Sequence, residues 1–213
     1  MMSRRKKGKK KIVFFFIFLI LLLSAGLYYF IYIHKSDNEV VEKIEKYNYT
    51  LESDDTKLTN NIFAKLKETL SAKKIDYEAY AKEISKLFIV DLYTMNNKLN
   101  KYDVGGTKYI YPTSIDNFKL KVQETLYKYL EDIENRKQEL PEVNSIEIVN
   151  INNTNFKYQE IEYEGYEIKL SWTYKKDLDY DNEGIVTIIK ENDKLYVAKF
   201  TPRVSVWKDL KEN

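Results

Sequence analysis

The chain has 213 residues, of which 35 are basic and 33 acidic, with no cysteine and a formal charge of +2. Without cysteine there are no disulfides, no thiol chemistry and no lipidated cysteine to serve as an anchor. Seven of the 35 basic residues precede Ile12 and all 33 acidic residues follow it. The remainder is therefore acidic, 28 basic side chains against 33, which argues against nucleic acid binding along its surface.

Residues 1–11 form a basic tail carrying Arg4, Arg5, Lys6, Lys7, Lys9, Lys10 and Lys11. Residues 12–33 then run for twenty-two positions without a charge, and sixteen of them are Leu, Ile, Val or Phe. A helix of that length is about 33 Å long, enough for a hydrocarbon core of about 30 Å, and it predicts a transmembrane helix. The basic flank keeps the N-terminus cytoplasmic and places the rest outside the plasma membrane in a single pass. The same tail is expected to bind anionic lipid headgroups, at about 1 kcal/mol per basic residue. Tyr28, Tyr29 and Tyr32 crowd the distal end, where amphipathic rings prefer the headgroup level. Ser24-Ala25-Gly26 offers small residues for cleavage, but the apolar run continues beyond them, so an uncleaved anchor is expected.

Residues 34–46 read as a charged stalk, with Val40, Val41 and Ile44 on one side of a short helix, and residues 47–213 as an extracytoplasmic domain. Tyr47, Tyr49 and Leu51 alternate with polar residues as in a strand. Asp54-Asp55-Thr56 supplies capping chemistry for a helix with Leu58, Ile62, Leu66 and Leu70 at steps of four, widened by Phe63. Asp76 caps the next helix, whose stripe runs from Tyr77 through Ile84, Phe88 and Leu92 to Met95. The segment 96–114 is a shaped loop holding Asp103-Val104-Gly105-Gly106 and Tyr111-Pro112. A third helix starts near Ser114 and buries Ile115, Phe118, Val122, Leu126, Tyr129 and Ile133, ending before Leu140-Pro141.

From Glu142 the period changes to two. Ile146 and Ile148 alternate with Glu147, and Asn152-Asn153-Thr154-Asn155 reads as a turn. Residues 158–174 give the longest strand signal, with a change of phase at Glu164-Gly165 that predicts a bulge or a tight turn. Residues 185–189 and 195–200 form a hairpin across Glu191-Asn192-Asp193, and Val204, Val206 and Trp207 extend a strand pattern. Helices followed by an antiparallel meander give an α+β fold with the helices on one face of the sheet.

This order, with the strand 166–174 and the closing hairpin ending in Leu195-Tyr196-Val197, resembles the nuclear transport factor 2-like superfamily. The resemblance spans about residues 47–200 and implies three helices wrapped by a curved sheet as a cone. The stretch 88–106, with Asp91-Leu92-Tyr93 and Asp103-Val104-Gly105-Gly106, is similar to uncharacterised membrane-anchored proteins of Gram-positive bacteria. Tail, span and external cone together look like the bitopic assembly subunit of type IV secretion and conjugation channels.

Asp91 lies three residues after Phe88 and seven after Ile84, on the buried stripe, where a carboxylate must find donors or stay protonated. It is expected to accept backbone N–H groups from the loop 103–107; the alternative is a general base at the mouth of the cone, with Tyr93 beside it. Enzymes of the resembled superfamily often pair an acid with a histidine or a second acid, and the single histidine, His34, sits at the membrane border. Asp103, Gly105, Gly106 and Tyr111 are the candidate ligand or partner loop. Asp177, Asp179 and Asp181 have calcium-loop spacing, but Asn182 and Ile188 stand where such loops need Gly and Glu, so a solvated hairpin loop is the better account. Nineteen tyrosines sit mostly at core periodicity, which reads as packing. The expected function is an interaction or assembly module in the cell envelope, with a protein partner or a second copy, no cofactor, no metal and no enzymatic activity.

Overall fold

The computed structural model describes residues 13–26, 39–158 and 160–202. Two compact units divide at Asp37 and Asn38. In the first, α1 covers residues 13–26 and is apolar all round, with Phe14, Phe16, Leu21 and Leu23 exposed. Among the described residues no helix is long and apolar enough to cross a membrane. The expected span 12–33 extends beyond α1; Ile12, residues 27–33, the basic tail from Arg4 to Lys11 and His34 lie outside the described residues.

The second unit is α+β. Its first elements are two strands, β1 (Val40–Ile44) and β2 (Tyr49–Glu52), paired antiparallel. The expected helix at Val40, Val41 and Ile44 is instead this strand: Val40 and Ile44 pair with Glu52 and Tyr49, and Val41 sits at an irregularity in the ladder. Asn48 at φ 57 turns the hairpin, a left-handed conformation that Asn tolerates better than most residues. Tyr49 and Leu51 point inward, as their alternation predicted.

Helix α2 (Lys57–Ser71) begins at Thr56, whose hydroxyl accepts the Thr59 N–H. It buries Ile62, Phe63 and Leu66. Helix α3 (Tyr77–Tyr93) is capped by Asp76, which accepts from the Glu78 and Ala79 N–H groups. From Leu87 to Tyr93 every residue of α3 is buried, so its second half is the spine of the core. Helix α4 (Ile115–Glu124) is shorter than its periodicity suggested. The chain leaves helical geometry at Thr125, Tyr127 becomes fully buried, and Tyr129 and Ile133 are exposed at 76% and 46%. The Tyr127 hydroxyl donates to the Leu92 carbonyl at 2.8 Å, a bond that a continued helix would not have made.

Four antiparallel strands follow in the order of the chain: β3 (Val143–Tyr158), β4 (Ile161–Tyr174), β5 (Glu183–Glu191) and β6 (Lys194–Pro202). The sheet is curved, and its inward face carries Ile168, Leu170, Trp172, Val186, Ile188, Leu195 and Val197 against the helices. Two sequence expectations change. Asn152-Asn153-Thr154-Asn155 is not a turn but the middle of β3, paired with residues 164–167 of β4. Glu164-Gly165 is neither bulge nor turn: β4 runs straight through it, and the bulges of this pair lie between Val143 and Ser145 and between Ile148 and Asn150. The apparent change of phase is a change of face within one strand: Ile161 is exposed and Tyr163 meets Tyr111, while Ile168, Leu170 and Trp172 turn to the core; the chain reverses earlier, just past Tyr158, where Glu160 has φ 67. Gly165 is needed there for space, since a Cβ would stand 1.9 Å from the Ile188 carbonyl oxygen. The β5–β6 hairpin turns at Asn192-Asp193 as expected, with Asn192 at φ 55. Residues 203–213, including Val204, Val206 and Trp207, lie outside the described residues.

The N-terminal hairpin is fastened to the last strand. Tyr49 donates to the Leu195 carbonyl at 2.9 Å, the Leu195 N–H reaches the Tyr80 hydroxyl at 3.3 Å, and the two phenols are 2.7 Å apart. With the proton of Tyr49 committed to Leu195, Tyr80 is the donor between the phenols, and the three bonds close a ring.

Candidate functional site

At the C-terminal end of α3 the helix meets the loop 96–111. Asp91 is buried, and both of its oxygens are engaged: Oδ1 by the Lys98 ammonium at 2.7 Å and Oδ2 by the Gly106 N–H at 2.7 Å. Burial alone would push this carboxyl up. The charges of Lys98 and Lys108, with the two hydrogen bonds, overcome that and hold it at about 2. For Lys98 burial acts downward, and the Asp91 charge outweighs it, so the ammonium is held above its ordinary value. Lys108 donates to the Thr50 carbonyl at 3.2 Å and lies 3.4 Å from Glu52, extending the network to the N-terminal hairpin.

The two glycines make this possible. Gly106 has φ 78, and a Cβ at Gly105 would stand 2.0 Å from the Asp91 carbonyl oxygen, so the loop backbone lies directly on the helix. Asp103 shapes the same loop by accepting the Leu99 N–H at 2.9 Å. The expected acceptor role of Asp91 is thus present, with one addition that sequence reading missed. Lys98 is one of many lysines in the chain, and nothing in its neighbourhood marks it as the buried one.

Asp91 and Tyr93 do not share a site. Tyr93 turns to the sheet, where its ring packs on Trp172, Tyr174 and Phe200 and its hydroxyl points to Asp181 at 3.4 Å. Burial first, then the Asp181 charge, raises this phenol far above its ordinary value. A carboxylate already saturated by donors, with its proton affinity lowered, is a poor general base, and a phenol held protonated is a poor partner for one.

Tyr111 also serves elsewhere than in the loop's cleft. Its N–H donates to the Val197 carbonyl at 3.0 Å, next to a parallel bridge between Ile110 and Val197, so the segment lies along β6. Its hydroxyl donates to Glu191 at 2.8 Å, and its ring meets Tyr158, Tyr163 and Tyr196 edge-on. The result is a small aromatic cap on the outer face of the sheet, apart from the main core.

Asp177, Asp179 and Asp181 belong to the turn between β4 and β5. Asp177 accepts the Asp179 N–H at 3.1 Å, Asp179 has φ 61, and Asp181 is turned inward towards Tyr93. Among the described residues no group of three or more ligand-type side chains is placed to hold a metal ion.

The concave face of the sheet is filled by Tyr80, Phe88, Tyr93, Tyr127 and Trp172. Surface clefts include parts of β3. A cleft of about 390 Å³ borders Asn153, Thr154 and Asn155, with Tyr77, Tyr166 and Lys190 opposite. A second of about 530 Å³ borders Val143 and Asn144, and a third of about 330 Å³ borders Ser145, Glu147 and Val149 on the outer face. No protein-family model matches the chain, and comparison with curated proteins and with solved structures finds no match either.

Proposed function

We propose that the chain is an interaction or assembly module of the cell envelope, held by residues 12–33 in the plasma membrane with the basic tail on the cytoplasmic side and the α+β unit outside. The uncharged run, its basic flank and the aromatic distal end support the anchor and its direction. Three helices followed by a four-stranded antiparallel meander support reading the α+β unit as a nuclear transport factor 2-like cone, as in the assembly subunits of conjugation and secretion channels.

One observation carries the interaction reading. The core behind the sheet is filled with side chains, whereas clefts that include Asn153, Val143 and Ser145 open to the surface, where a macromolecular partner can reach them. The enzyme alternative, with Asp91 as general base, has less support, because both carboxylate oxygens are occupied and the group is held at about 2.

The test uses the full chain in its own membrane. Protease added to spheroplasts should digest the α+β unit and spare the N-terminal tail, and crosslinking before solubilisation should retain the chain in complexes larger than itself. A protected α+β unit would overturn the orientation. Recovery of uncrosslinked single chains alone would overturn the assembly role.

A further inference from the structure

Among the described residues strand β3, sixteen residues long, is an edge of its sheet and pairs with β4 alone. Edges of this length are ordinarily guarded, because a row of unpaired N–H and C=O groups recruits further strands. The usual guards are lysines, inward charges, prolines and bulges. Here Ile148 and Asn150 flank a bulge, but beyond it the strand runs regularly from Asn150 to its turn. Over residues 150–156 it has no proline and no charge, in a chain that is 32% charged. In place of charges it carries Asn150, Asn152, Asn153 and Asn155, all exposed, and Thr154.

A carboxylate or an ammonium repels its own copy. A side-chain amide does not, since it is both donor and acceptor and so complements itself. A partner strand of any other sequence would have no need of this property. We propose that β3 pairs antiparallel with β3 of a second copy of this chain, joining two four-stranded sheets into one of eight strands. This deepens the interaction reading above and rests on it. Because the run is free of bulges, the register that uses it most fully has its twofold axis at Thr154. Thr154 then faces its own counterpart, Asn153 of each copy faces Asn155 of the other, Asn152 faces Phe156, and Ile151 faces Lys157. No like charges meet, and the Thr–Thr and amide pairs are of the kind that stabilise cross-strand contacts.

The absence of cysteine from the chain makes the register directly measurable. Full-length single-cysteine variants along the edge, oxidised in native membranes, should form a disulfide dimer best at Thr154→Cys. Lys157→Cys should give roughly tenfold less, because its two copies lie beyond the reach of a disulfide. Thr154→Lys and Thr154→Glu should each give monomers in detergent by light scattering, with the strand signal in circular dichroism retained. Mixing those two variants should restore the dimer. Dimer yield that does not peak near Thr154, or charge variants that stay dimeric, would overturn the proposal. If the chain is monomeric yet still crosslinks into larger complexes, this inference alone falls and the assembly reading stands; if neither occurs, both fall.

Discussion

At Asp91 the cost of burying a carboxylate is met by two donors of different kinds, a backbone N–H and a buried ammonium. Truncation to Ala leaves the Lys98 charge buried without its partner, and Asp91→Ala is expected to cost about 3–5 kcal/mol in denaturant unfolding. Asp91→Asn keeps an acceptor for Gly106 and should lose less. Replacing both members together, Asp91→Leu with Lys98→Met, should recover part of the loss, since the unpaired charge is then gone while the Gly106 N–H stays without its acceptor. If Asp91 were instead a general base, Asn would abolish function at unchanged melting temperature. The pair also sets a pH window. The folded carboxyl sits at about 2, below its ordinary value of 3.8, so its contribution, about 2 kcal/mol, is present above pH 3.8 and is lost as pH falls towards 2. Lys98 is shifted upward, so its contribution is present below its ordinary 10.5 and is lost only as pH rises through the higher folded value. Stability measured against pH should therefore fall at the acid end in the wild type and be flatter there in the double variant.

Among the elements, those the sequence announces clearly are the ones whose local chemistry and tertiary role agree. Thr56 and Asp76 cap α2 and α3 where expected, and Asn192-Asp193 turns the last hairpin. The misreadings arise where the two diverge. Asn152 to Asn155 has the composition of a turn, but its pairing with residues 164–167 extends the strand through it, and the chain reverses only past Tyr158. The pattern of α4 continues to Ile133 on paper, yet Tyr127 turns inward to the Leu92 carbonyl and the register of buried side chains is lost. The difference can be measured. Tyr127→Phe removes a buried hydroxyl bond and should cost about 1 kcal/mol or more, whereas Tyr129→Ala, on the exposed surface, should stay within about 0.5 kcal/mol. A helix continued through residue 133 would reverse that order. At the site, the acceptor role of Asp91 was legible from its place on a buried stripe. Its pairing with Lys98, and the separation of Tyr93 from it, were not, because neither follows from spacing along the helix.

For the molecule as a whole, the strands pair in chain order, so most of the sheet can form from neighbouring segments. The longest-range join is that between the N-terminal hairpin and β6, through Tyr49, Tyr80 and Leu195, reinforced by Lys194 donating to the Tyr47 carbonyl at 2.6 Å. A chain ending at Asp193 would lack that join and uncover Tyr49, Phe88 and Tyr93. It should bind a hydrophobic dye and melt without cooperativity, and a sharp melt for that truncation would contradict the assignment of β6 to the core. The same join imposes a timetable on biosynthesis. If the chain crosses a membrane N-terminal side first, Tyr49 emerges some 146 residues before the carbonyl it must reach. Until then the hairpin has no roof, and its aromatic side chains are open to chaperones and to proteases. Completion of the fold is therefore a late event that reports the arrival of β6, and a quality-control protease that reads Tyr47 and Tyr49 would in effect be checking whether β6 has come through.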